Sequence, residues 1–212
     1  MELLEDVAEP AVVATFLRAE LNSPRYRATL LLLLDKAGAS AGILEKPDLA
    51  DAGENDLRGR IFGAYRGWPD RLLFLRFPKV ARWRRAVLAQ ADLSRVLYVN
   101  DDPRLPGRET WDKVCWFDLA GGTRFVKDGA ANVNRGRPAP GYEPVFRNIV
   151  ATADALRTGA EVPELILARQ SVTSPLLIIE GHTRATAYAL SARERIPVFI
   201  GEAPGLDRWH MS

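Results

Sequence analysis

The stretch Leu176–Gly201, LLIIEGHTRATAYALSARERIPVFIG, leaves this chain the fewest ways to fold. Its opening run, Leu176–Ile179, is apolar, rich in isoleucine and preceded by Pro175, which reads as a buried strand. Glu180 and Gly181 then turn the chain. From His182 the spacing changes: Ala185, Tyr188, Ala189 and Ala192 keep the i, i+3, i+4, i+7 rhythm of a helix. Ile196–Ile200 is β-branched and reads as a second strand despite Pro197. The order is therefore strand, tight glycine turn, helix, strand. Gly181 is where the backbone can bend sharply and come close to a ligand. The helix start beyond it offers N–H groups and a positive dipole end, which suit phosphate or another anion. Arg184 falls in the first turn and adds a charged fork.

Upstream the pattern is mostly helical. Met1 to about Asn22 reads as one helix, on the spacing of Val12, Val13, Phe16, Leu17 and Leu21. Ser23-Pro24 caps and starts a second helix, which runs to about Lys36 and stops at Gly38. Its five consecutive leucines, Leu30 to Leu34, predict either burial nearly all round or a subunit contact. A third helix spans about Glu54 to Tyr65 and ends at Gly67-Trp68-Pro69. Trp83–Leu88 and Trp111–Leu119 read as strands, and Asp92–Val99 as a capped start leading into a β-branched run. Asn100–Arg108 is a polar loop, Gly121-Gly122 a turn, and Asn132–Tyr142 a linker by composition. A helix from Phe146 to Leu156 closes at Gly159; a strand Val162–Ala168 and a turn Gln170–Pro175 follow, and Leu176–Ile179 returns antiparallel. Gly205–Ser212 reads as a loose tail. Mixed in this way, the elements predict an α+β protein.

Composition removes several classes. At 212 residues the chain can bury a real core in one or two domains, and its formal charge of +2 names no partner. Cys115 is the single cysteine, so there is no disulfide framework and no cysteine zinc site; it reads as a small buried hydrophobe rather than a nucleophile. The two histidines, His182 and His210, make no metal-spacing motif. The acidic N-terminus is not a signal peptide, and Leu30–Leu34 is far too short to span a bilayer. The expectation is a soluble cytoplasmic protein with no membrane partner. There is no G-x-x-x-x-G-K-[ST], no G-x-G-x-x-G after a strand and no G-x-S-x-G elbow.

One segment is strongly basic. Arg58, Arg60, Arg66, Arg71, Arg76, Lys79, Arg82, Arg84 and Arg85 face only Asp70, and Phe62, Tyr65, Trp68, Phe74, Phe77 and Trp83 are interleaved. Such a mixture grips nucleic acid through phosphates and stacking, or forms a solvated face with its aromatics in the core. Arg82, Arg84 and Arg85 are the candidate nucleic-acid contacts.

Gly181, His182, Thr183 and Arg184, followed by Ala187, resemble the G-x-x-R-x-x-A box of the ParB/sulfiredoxin-like superfamily. Sulfiredoxins carry G-C-H-R, ParB partition proteins a G-x-R-R form, and free-serine kinases of this fold D-G-H-H-R. Here the box reads E-G-H-T-R, which is most similar to the kinase branch, with Glu180 for Asp and Thr183 for the second His. His182 stands where sulfiredoxins have cysteine, so thiol repair of sulfinic acids at this position is excluded. Segments around Phe77–Trp83 and Trp116–Arg124 also resemble uncharacterised bacterial proteins that end in the same box.

The helical pattern upstream predicts a mainly helical N-terminal region, 1–110, packed on the C-terminal part, and the resemblance, which covers about 142–201, implies that this part is a small mixed-sheet domain, 111–212, with its core there. It implies nucleotide phosphates on Gly181, His182, Thr183 and Arg184, from ATP, ADP or CTP with Mg²⁺. It implies phosphoryl transfer to a small hydroxyl-bearing molecule, or nucleotide hydrolysis, with Glu180 and His182 catalytic. Glu180 is then a general base or holds a metal ion that accompanies the nucleotide; otherwise it is a strand-end residue or a helix cap. His182 meets a phosphate, moves a proton or takes a phosphoryl group, or makes only a local hydrogen bond. Thr183 donates to a phosphate or caps the helix. Arg184 binds an anion or makes a surface salt bridge. Lys127, Arg135 and Arg137 are further candidate phosphate contacts. The alternative function is a non-enzymatic, nucleotide-dependent module that associates with DNA or a partner protein.

Overall fold

A computed structural model describes residues 1–99, 124–136 and 143–212. The expected strand Trp111–Leu119, the Asn100–Arg108 loop, the Gly121-Gly122 turn, Cys115, Arg137 and the 110/111 boundary lie outside the described residues.

A five-stranded mixed sheet organises the chain. Its strands are β1 (Glu2–Val7), β2 (Arg82–Leu88), β3 (Leu165–Arg169), β4 (Leu177–Glu180) and β5 (Ile196–Glu202), in the spatial order β1-β2-β5-β3-β4. β3 and β5 run parallel; the other neighbours are antiparallel. Among the described residues the helices are α1 (Glu9–Leu21), α2 (Arg27–Lys36), α3 (Gly42–Glu45), α4 (Ala52–Arg66), α5 (Gln90–Leu93), α6 (Val126–Asn134), α7 (Glu143–Arg157) and α8 (His182–Ser191). The α+β class expected from the sequence is the class observed.

Side chains alternate across the sheet and feed two cores. Leu165, Leu167, Ile178, Val198 and Ile200 pack with α6, α7 and α8. Ile166, Ala168, Ile179, Phe199 and Trp83 pack with α1, α2 and α4. Burial from both sides explains why β3 has no polar face: all five of its residues are buried. Pro197 sits one residue before the β3–β5 pairing begins, where a missing N–H costs least.

The predicted helix over Met1–Asn22 is divided: Glu2–Val7 is a strand, and the helix begins at Glu9 with Pro10 in its first turn. The cause lies far along the chain. Glu5 is registered against Arg85 and Asp6 against Arg84 on β2, and the Asp6 carboxylate also pairs with Arg82. Cross-strand charge pairing of this kind overrides local helical preference. The run of leucines in α2 is also not buried all round: Leu30 and Leu34 are buried, whereas Leu32 is 53% exposed. The linker expected from Asn132 starts inside α6.

The C-terminal residues are not a loose tail. Leu206, Trp209 and Met211 are buried in the core on the α1–α4 face. Trp209 packs edge-on to Phe77 at 5.0 Å between ring centroids, and its Nε1 donates to the Leu73 carbonyl at 2.9 Å. Of the six aromatics of the basic segment, Phe62, Phe74, Phe77 and Trp83 are buried in the same core, and Tyr65 and Trp68 pack against it half-buried.

Candidate functional site

Gly181 caps α8 in the left-handed region, at φ +101°. Any Cβ there would meet the Leu165 Cδ2 at 2.7 Å and the Arg184 Nη2 at 3.2 Å. Gly181→Ala is therefore expected to cost about 2 kcal/mol, from the strained φ and the displaced Leu165. Urea unfolding of the variant measures this, and an unchanged midpoint would count against a required glycine. Gly181, and not Thr183, occupies the cap position; Thr183 is the second residue of α8.

Arg184 is committed to its own chain. Its Nη1 donates to the Pro163 and Glu164 carbonyls at 2.6 and 3.1 Å, and its Nη2 to Glu180 Oε1 at 2.7 Å. It therefore ties the approach to β3 to the end of β4 and holds the Glu180 carboxylate at the turn. His182, the first residue of α8, is pushed down to about 4 by burial, against the pull of Glu180 and with added repulsion from Arg184. It is neutral at pH 7, a hydrogen-bonding group and not a cation. Its ring stacks on Tyr98 at 6.1 Å. Thr186 Oγ1 donates to the His182 carbonyl at 2.8 Å, and the Tyr98 hydroxyl lies 2.7 Å from the same Oγ1. This stitching fixes the first turn of α8.

A residue that the pattern reading passed over completes the site. Glu20, on α1, is only 4% exposed. Tyr65 donates to its Oε2 at 3.1 Å, and Arg66 pairs with its Oε1. Burial first, then the Glu180 carboxylate, push Glu20 up to about 7, against the opposing pull of Arg66 and Tyr65. Two carboxylates, one from α1 and one from the box, are therefore near enough to repel each other. Arg66 packs over the rings of Tyr26 and Tyr65 at 4.5 and 4.3 Å; burial is the largest single influence on its guanidinium and pulls it down, but the Glu20 and Tyr65 charges and the Glu20 hydrogen bond together raise it. Glu164 extends the cluster: it takes Arg85 at 2.9 Å and Arg18 at 3.7 Å. A signal for Glu20 was present in the sequence. It stands four residues after Phe16 and three after Leu17, so a carboxylate lies on the buried stripe of α1.

The other candidates lie elsewhere. Lys127 sits 5.5 Å over the Phe125 ring, and Arg135 bonds Asn132 at 3.1 Å; neither bonds a box residue among the described contacts. Arg82, Arg84 and Arg85 are engaged by Asp6, Glu202, Glu5 and Glu164. A groove of about 470 Å³ runs between α6 and α7, lined by Val133, Phe146, Arg147 and Val150 among others, and no box residue lines it. Among the described residues no group of three or more His, Cys, Asp or Glu side chains is arranged to hold a metal ion, and no helix is long and apolar enough to cross a membrane. No protein-family model, curated protein or solved structure matches the chain.

Proposed function

We propose that the protein binds nucleotide phosphates at the Gly181 turn and transfers a phosphoryl group to a small hydroxyl-bearing molecule. The observation that carries this reading is the pairing of a left-handed glycine at the start of α8 with a buried carboxyl, Glu20, raised to about 7. A group with that proton affinity can take a proton from a hydroxyl near neutral pH, once the hydroxyl displaces Tyr65 from Glu20 Oε2 while Arg66 keeps Oε1. The hydroxyl oxygen would form its bond to the terminal phosphorus as the bond to the bridging oxygen breaks, leaving a nucleoside diphosphate; the hydroxyl proton would pass to Glu20. The α8 N-terminus would meet phosphate oxygens with backbone N–H groups, and neutral His182 would add a hydrogen bond. Mg²⁺ would arrive with the phosphates and offset their charge. The alternative is a non-enzymatic module that associates with DNA; in its segment Arg82, Arg84 and Arg85 are ion-paired and Phe62, Phe74, Phe77 and Trp83 are buried, which leaves Arg71, Arg76 and Lys79 as its exposed cations.

The test is thermal unfolding with ATP, ADP, CTP and GTP, each with and without Mg²⁺, on the wild type and on Arg184→Lys. A nucleotide at a hundred times its Kd should add about 2.7 kcal/mol. The ligand-induced increment, not the starting Tm, is the quantity compared, since Arg184 also supports the fold. An increment for one nucleotide that shrinks in the variant supports the site. No increment with any nucleotide overturns the reading.

A further inference from the structure

The nine cations between Arg58 and Arg85 divide into two groups. Six are spent inside the molecule: Arg58 on Glu54, Arg60 on Asp56, Arg66 on Glu20, Arg82 on Asp6, Arg84 on Asp6 and Glu202, and Arg85 on Glu5 and Glu164. The remaining three, Arg71, Arg76 and Lys79, are exposed and make no ion pair among the described residues. They flank a single turn, Leu72–Phe74, whose Leu72 is 67% exposed and whose following Leu75 is 49% exposed. Asp70 is the one acid beside them in sequence.

This knuckle is held in place. Leu72 and Arg76 sit at φ +49° and +62°, a region that non-glycine residues seldom adopt and keep only where the surroundings enforce it. The enforcing contacts are clear. Phe74 and Phe77 point into the core, the Arg71 N–H donates to Gly67 at 2.7 Å, Trp209 donates to the Leu73 carbonyl, and His210 Nδ1 lies 2.9 Å from the Leu75 carbonyl. With both phenylalanines turned inward, the leucines are what the tip presents to solvent.

The chemistry of the tip selects its partner. Nucleic acid is gripped by cations together with stacking rings, and here the rings are inside. Protein hot spots centre on Trp, Tyr and Arg; the tip offers no Trp or Tyr, and its exposed apolar side chains are leucines, which hot spots under-use. Exposed aliphatic side chains flanked by exposed Lys and Arg match the boundary between headgroups and acyl chains in an anionic lipid layer. We propose that this knuckle docks on an anionic lipid surface, with Leu72 and Leu75 entering the acyl boundary and Arg71, Arg76 and Lys79 meeting headgroup phosphates.

The test is co-sedimentation of the full chain with vesicles of phosphatidylcholine alone, or with about 30% phosphatidylglycerol. Binding is expected on the anionic vesicles only, and weaker as salt is raised. Arg71→Gln and Lys79→Gln should each weaken it about fivefold. Leu72→Asn combined with Leu75→Gln should abolish it. Asparagine tolerates the left-handed region, so this variant should unfold at the wild-type temperature, which the same preparation can confirm. Equal binding to neutral and anionic vesicles, no binding to either, or binding untouched in the leucine variant would each overturn the proposal. Retention on duplex DNA or polyglutamate without vesicle binding would also overturn it and assign the tip to that partner class.

Discussion

Replacing Trp209 by alanine is expected to destabilise the protein by about 3–5 kcal/mol, the range for emptying a large aromatic site in a packed core. Trp209 is 2% exposed and stands at the junction of two layers of rings, edge-on to Phe77 and stacked at 6.5 Å on Phe74. The loss includes its hydrogen bond to the Leu73 carbonyl, which would be left to find another donor. For a chain of this length the drop in Tm should be on the order of 10 °C. Trp209→Phe keeps a ring and loses the donor, so its cost should be nearer 1 kcal/mol. Urea unfolding of the three proteins separates the two contributions. If Trp209→Ala unfolded like the wild type, the last residues would be dispensable after all.

Glu20→Gln should lower turnover by about 10²–10⁴-fold while leaving the nucleotide-induced increment in stability intact. The wild-type kcat/KM should rise as pH increases towards 7 and then level, because the proton acceptor must be ionised. Equal turnover in the two proteins would remove Glu20 from the chemistry. The same substitution has a signature that does not depend on any activity. The folded carboxyl titrates at about 7, above the ordinary 4.5, so between those values the folded state holds more protons than the unfolded one. Its contribution to stability is complete below about 4.5 and is lost as pH rises through 7. The loss is roughly 3 kcal/mol. Urea unfolding at about pH 5 and about pH 8 should show this decline in the wild type, and Glu20→Gln should be nearly level across that window.

Local signals made part of this molecule legible. Leu177–Glu180, Gly181, His182–Ser191 and Ile196–Glu202 fall as strand, left-handed turn, helix and strand, because the periodicity changes at each junction and Gly181 marks the first. The helix at Ala52–Arg66 was legible for similar reasons: Asp51 caps it through the Glu54 N–H, and Gly67 ends it at φ +80°. What stayed hidden depends on partners distant in sequence. Nothing within ELLEDV announces a strand; the arginines of β2 do that. Trp209 looks like one aromatic in a short polar tail until Phe74 and Phe77 are placed beside it. Of the site, the turn and its arginine were visible, but Arg184's three partners were not, since Pro163 and Glu164 precede it by about twenty residues. Glu20 shares the spacing of the buried stripe of α1, yet a single acid in a helical run reads as ordinary until its burial is known.

The sheet order also dictates when the molecule can become itself. β2 is flanked on one side by β1 and on the other by β5, with Leu88 registered against Ile196 and Arg82 against Glu202. During synthesis β2 emerges more than a hundred residues before β5, so one of its edges must wait unpaired until Ile196–Glu202 has left the ribosome. The helices that read as a separate N-terminal unit are seated on that unfinished sheet, on a core that also contains Phe199 and Trp209. Such long-range closure makes folding late and slow. A nascent or truncated chain lacking β5 would display an open strand edge, the state in which it would draw on chaperones or aggregate.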